Sequence, residues 1–131
     1  MRAIFGLILL TGGGCIYLLQ RPASLLLFRV IEALGLSERL DVVRTDVATW
    51  PDFVVYNLPG ALWSGSYVLL ADVLFRSFPL SARLSWASVI PMLGVLSELL
   101  QFTGLCPGTP DVLDALCYVL PYIIYVIFVT K

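Results

Sequence analysis

Hydrophobic residues gather in four long runs along this chain, each near the ~20 residues a helix needs to cross a bilayer. They cover residues 3–19, 58–75, 84–105 and 110–129. The first follows Arg2, carries three successive glycines at 12–14 and stops at Gln20, Arg21 and Pro22. The second opens at Asn57, Leu58 and Pro59, a capping residue followed by a first-turn proline. In the third, Trp86 serves as an interfacial anchor near the start and Pro91 predicts a kink. Thr109, Pro110 and Asp111 repeat the cap-then-proline signature at the start of the fourth, which runs through Pro121.

Between the first two runs, residues 21–52 change character. Arg21, Arg29, Arg39 and Arg44 alternate with Glu32, Glu38, Asp41, Asp46 and Asp52, while Leu25, Leu26, Leu27, Val30, Ile31 and Leu34 line one side. That spacing predicts a short amphipathic helix lying at the membrane interface. Gly35 marks its end and Ser37 a new cap, with Leu40, Val43 and Val47 extending a weaker stripe. The expected fold is all-α: one transmembrane domain, a compact bundle of four membrane-spanning helices with an interfacial amphipathic connector between the first and second. The first run also reads as a cleaved signal, and Cys15 as a lipoprotein site, but glycines precede that cysteine where a leucine is expected. A retained anchor is the expectation.

Composition agrees with the pattern. Of 131 residues, 60% are hydrophobic and 13% charged, more apolar surface than a soluble domain this small can hide. Eight basic against nine acidic residues leave a net charge of −1, which removes the electrostatic footprint of a nucleic-acid binder and a polybasic membrane tether. There is no histidine, and Lys131 is the sole lysine, so histidine bases, histidine metal sites and phosphate-loop lysines drop out together. Cys15, Cys106 and Cys117 have neither zinc-site spacing nor an even count. No cofactor or resident metal is implied. Asp72 and Arg76, four apart, read as an interfacial ion pair. Arg2 and Arg76 beside their span ends place both termini in the cytoplasm.

Acids inside a span are expensive and need a reason. Counting back from Leu105 at 1.5 Å per residue sets Gln101 ~6 Å and Glu98 ~10 Å deep; counting forward from Pro110 sets Asp111 ~1.5 Å, Asp114 ~6 Å and Tyr118 ~12 Å deep. Spacings of three and four keep each set on one helical face, and the short connection makes the helices antiparallel neighbours. Trp63, Ser64 and Tyr67 of the second span fall at comparable depth. The predicted site is therefore an acidic pocket near one membrane face, built from Glu98, Gln101, Asp111, Asp114, Tyr118, Trp63 and Tyr67. The bland reading is interhelical glue. Three carboxylates without a basic partner are poor glue unless one is protonated, and a binding pocket suited to a cation, an amine, a sugar or proton exchange explains them better.

These residues carry a resemblance. Leu58-Pro59-Gly60-Ala61-Leu62-Trp63, then Ser97-Glu98-Leu99-Leu100-Gln101, then Pro107-Gly108-Thr109-Pro110-Asp111-Val112-Leu113-Asp114 with Tyr118, resemble the VanZ-like family of small bacterial membrane proteins. In that family a Glu-x-x-Gln on one span precedes an Asp-x-x-Asp opening the next. Those positions correspond here to Glu98, Gln101, Asp111 and Asp114. Gly60 stands where an aspartate is often seen, and Pro110 where an aromatic is common. The resemblance covers about the last eighty residues and implies a multi-pass protein of the bacterial inner membrane. The family's namesake is associated with resistance to the lipoglycopeptide teicoplanin.

The leading expectation is a non-catalytic membrane protein that binds an envelope lipid, a glycan precursor or a lipophilic antibiotic in the acidic pocket. Two other classes stay open: an intramembrane acid/base enzyme on a lipid-linked substrate, and a structural subunit that meets a membrane-protein partner or a second copy along residues 12–14.

Overall fold

The computed structural model describes residues 1–21, 26–35 and 50–130. The predicted cap at Ser37, the stripe at Leu40, Val43 and Val47, the charges between 38 and 46, and Lys131 lie outside the described residues.

The described residues are 80% helical, with no strand among them. In order come α1 (Arg2–Gln20), α2 (Leu26–Ala33), α3 (Asp52–Tyr56), α4 (Leu58–Leu74), α5 (Leu80–Phe102) and α6 (Val112–Val129). Three of them, α1, α5 and α6, are long and apolar enough to cross a membrane. Their large side chains face outward: Phe5, Ile8, Met92, Leu96, Leu120 and Phe128 are all exposed. In water such surface would collapse or aggregate, whereas hydrocarbon solvates it without cost.

Helix α4 forms the middle of the molecule, packing on α1, α3, α5 and α6. The reason is its composition. Pro59, Gly60, Ser64, Gly65, Ser66, Val68, Ala71 and Asp72 are all buried, so small residues on several faces let neighbouring backbones approach closely. Against it α1 turns Gly6, Gly13 and Ile16, one face of the helix. A methyl at Gly13 would lie 2.7 Å from the Trp63 indole, so this glycine sets the separation of α1 and α4. Of the run 12–14, Gly13 alone is used in this way; Gly14 faces open space.

The helices begin and end where backbone chemistry directs. Helix α5 starts at Leu80, directly after Pro79 and four residues before the predicted boundary, and Arg83 in its first turn is paired with Asp72. It ends at Phe102, not Leu105. Gly104 takes φ +73°, and the N–H groups of Leu105 and Gly104 close back on the carbonyls of Leu100 and Gln101 in the glycine-dependent arrangement that terminates helices. Helix α6 is capped by Asp111, whose Oδ1 accepts from the Leu113 N–H at 2.8 Å, so Thr109 is not the cap and Pro110 precedes the helix. Both internal prolines, Pro91 and Pro121, sit within unbroken helices.

One polar cluster ties the four long helices together. Asp72 of α4 is buried and accepts from Arg2 of α1 at 2.5 Å, from Arg83 of α5, and from the Tyr125 hydroxyl of α6 at 2.7 Å. The expected partner, Arg76, is exposed and makes no ion pair among the described residues. The correction is geometric, since residues of four different helices converge on Asp72 and its two oxygens are already occupied. Beside the clamp, Val68, Ala71, Ala87 and Tyr125 form the buried core, with Tyr67, Phe75, Leu84 and Tyr122 packed around it.

Candidate functional site

The second polar cluster lies at the other end of α4. Fifteen residues separate Asn57 from Asp72, ~22 Å along a helix axis. Asn57, at the junction of α3 and α4, is buried, and its side chain caps neither helix. Instead Nδ2 donates to Asp111 Oδ2 and to Asp114 Oδ1, each at 2.9 Å. One amide nitrogen thus spends both hydrogens on two carboxylates a helical turn apart. Glu98, near the end of α5, accepts the Asp111 backbone N–H on Oε2 at 3.0 Å. Three acidic side chains are thereby drawn to the start of α6, where unpaired N–H groups and the helix dipole favour negative charge.

Glu98, Asp111 and Asp114 therefore belong to one cluster, as their spacing suggests, but in a different register. Because α5 stops at Phe102 and α6 starts at Val112, residues 103–111 form the connection and Glu98 lies only one turn from its helix end. Its hydrogen bond goes to the backbone of Asp111, and it also lies close enough to Tyr118 to act on it electrostatically. Gln101 makes no hydrogen bond to the acids among the described residues: its Nε2 lies 3.3 Å from Ser97 Oγ, and its amide packs on the backbone of Gly108, where a methyl would come within 2.5 Å of Oε1.

Tyr118 stands one level deeper, its ring held between Gly94 of α5 and Gly60 of α4. Its carbonyl accepts the buried Ser64 hydroxyl at 2.6 Å. A side chain at Gly94 would overlap the Tyr118 ring. Gly94→Ala is expected to push α5 from α6 and cost about 2 kcal/mol of bundle stability, read by thermal unfolding in detergent, with partial recovery in the Gly94→Ala/Tyr118→Leu double variant.

Two predicted members sit elsewhere. Trp63 faces α1, its ring 5.3 Å from Tyr17, which in turn stacks on Phe28 of α2 at 6.3 Å. Tyr67 reaches the opposite half of the bundle and donates to the Trp86 carbonyl at 2.9 Å. Equal depth along α4 does not mean equal direction, since adjacent positions differ by ~100° around a helix. Asn57 is the member that sequence reasoning missed. Its signal was present as a polar residue level with the acids, but it was spent on a helix cap.

Chemically, the site is rich in acceptors. Among the described residues Glu98 Oε1 and Asp114 Oδ2 accept no hydrogen bond. Arg21 lies near this end, its guanidinium 4.7 Å from the Tyr56 ring centre and 3.4 Å from the Tyr56 carbonyl. No three His, Cys, Asp or Glu side chains among the described residues are grouped to hold a metal ion. No protein-family model, curated protein or solved structure matches the chain.

Proposed function

We propose that this protein is a non-catalytic binding protein of the bacterial inner membrane, related to the VanZ-like family, and that the Asn57–Asp111–Asp114–Glu98 cluster holds the polar head of an envelope ligand. The observation that carries the reading is the shared amide. A buried Asn57 side chain gathers two carboxylates at the membrane-facing end of a helix, yet leaves acceptor oxygens on Asp114 and Glu98 without donors. Glu98 and Asp114 are half-buried, so these two oxygens stay accessible to a donor from outside the bundle. An amine or a sugar hydroxyl supplies the missing donors, which fits an envelope lipid, a glycan precursor or a glycopeptide antibiotic.

Four helices span the bilayer in this reading. At 17 residues α4 is ~25 Å long, short of the ~30 Å hydrocarbon core, and its polar ends at Asn57 and Asp72 meet the two interfaces. Helix α2 lies in the interface in the same reading. Arg2, Arg76 and Arg83 share one end with the N-terminus and the end of α6, and in this reading that end is cytoplasmic and the acidic cluster faces outward.

Native mass spectrometry of the purified protein tests the binding, with teicoplanin and phosphatidylethanolamine as probes. Retention of either probe, weakened about tenfold in Asp114→Asn, supports the reading. Equal retention by wild type and Asp114→Asn, or none by either, overturns it.

A further inference from the structure

The opposite end of the bundle holds a second polar feature, separate from the acidic cluster. Around the Asp72 clamp lies a cavity of about 620 Å³ lined by Arg2, Asp72, Arg76, Arg83 and Phe128, among others. Three guanidinium groups face one carboxylate there, leaving two positive charges in excess. The charges are not equally committed. Arg83 is largely covered and bound to Asp72, whereas the Arg2 side chain is half exposed and Arg76 has no ion pair among the described residues. Arg2 spends one nitrogen on Asp72, and a guanidinium carries five N–H donors.

This basic cavity adjoins an apolar one. A groove of about 500 Å³ runs between α1 and α6 over α4, floored by Leu62 and Gly65 and walled by Leu9, Leu120, Ile124 and Phe128. Arg2, Phe128 and Val129 line both spaces. From Cys117 to Val129 the groove follows twelve residues of α6, ~18 Å, close to half the ~30 Å hydrocarbon thickness. A positively charged mouth at the membrane surface, leading into an apolar channel about one leaflet deep, has the shape and charge of a lipid site rather than of a helix-packing surface.

We infer that an anionic phospholipid of the leaflet at the basic end occupies this site, with its phosphate against Arg76 and Arg2 and one acyl chain in the α1–α6 groove. Charge complementarity selects the headgroup, since two surplus cations favour a lipid bearing net negative charge over a zwitterion. The inference does not depend on the acidic cluster, ~22 Å away.

The test is native mass spectrometry of the delipidated protein titrated with dioleoyl phosphatidylglycerol, dioleoyl phosphatidylcholine or inorganic phosphate. Expected is one tightly held phosphatidylglycerol per chain and at least tenfold weaker phosphatidylcholine binding. Arg76→Gln, at an exposed position outside the clamp, is expected to weaken phosphatidylglycerol binding about tenfold. Leu120→Trp, which fills the groove from an exposed position, is expected to weaken it similarly while thermal unfolding stays unchanged. Equal binding of the two lipids, or an unchanged affinity in Arg76→Gln, overturns the inference. Inorganic phosphate that displaces the lipid completely while Leu120→Trp has no effect overturns it as well, because the site is then an anion pocket and the groove holds no chain.

Discussion

Replacing Asp72 by alanine is expected to cost about 3–5 kcal/mol and to remove most of the protein from the membrane. The size follows from what the substitution leaves behind. Arg83, only 17% exposed, loses its acceptor, Tyr125 loses its partner inside the core, and α1 loses its only ion pair to the bundle among the described residues. Asp72→Asn keeps the shape and one acceptor oxygen but not the charge, so it is expected to fall between alanine and wild type. Arg2→Gln should cost about 1 kcal/mol or less, because that side chain is half solvated and its pairing is correspondingly weak. Thermal unfolding in detergent, with membrane abundance in parallel, measures all three. A ranking of Arg2→Gln above Asp72→Ala would show that the clamp does not join the helices as described.

At the other end, Asn57→Leu is expected to cost about 3 kcal/mol. Two hydrogen bonds to charged acceptors disappear together, and Asp111 and Asp114 are left facing each other without the amide between them. Asn57→Asp should be worse than Asn57→Leu, since it adds a third carboxylate where a donor is required. The consequence is also functional. Asn57→Leu should lower binding of the head group even in the fraction of protein that remains folded, because the carboxylates no longer share a fixed geometry. Unfolding measurements together with the probe titration above separate these effects; unchanged stability in Asn57→Leu would mean that the two hydrogen bonds carry no weight.

The helices themselves were legible in the chain. Long apolar runs, the proline at the start of α4 and the polar residues near the end of α5 are local signals, and each corresponds to an observed element or cluster. Boundaries failed where a single backbone geometry decided: Gly104 ends α5 three residues early, and Asp111 rather than Thr109 caps α6. The register of the acids then shifted by about a turn. Asp72 failed differently. Its nearest candidate, Arg76, is four residues away, while its real partners are separated by 70, 11 and 53 positions, distances that no local spacing rule encodes. Trp63 and Tyr67 were placed by depth alone, and depth says nothing of which neighbour a side chain faces.

The two clusters thus have different expected roles. Asp72 has its acceptors satisfied by three helices and holds the bundle together, whereas the Asn57–Asp111–Asp114–Glu98 cluster keeps unmet acceptors and is read as a binding site. The direct test is survival under teicoplanin and envelope stress of a deletion strain complemented with wild type, Glu98→Gln, Asp111→Asn, Asp114→Asn or Asp72→Asn, with membrane abundance blotted alongside. Glu98→Gln, Asp111→Asn and Asp114→Asn are predicted to be abundant but inactive, and Asp72→Asn to be depleted. Full activity of the three acidic-cluster variants, or their loss from the membrane to the same extent as Asp72→Asn, would contradict the assignment of binding to that cluster.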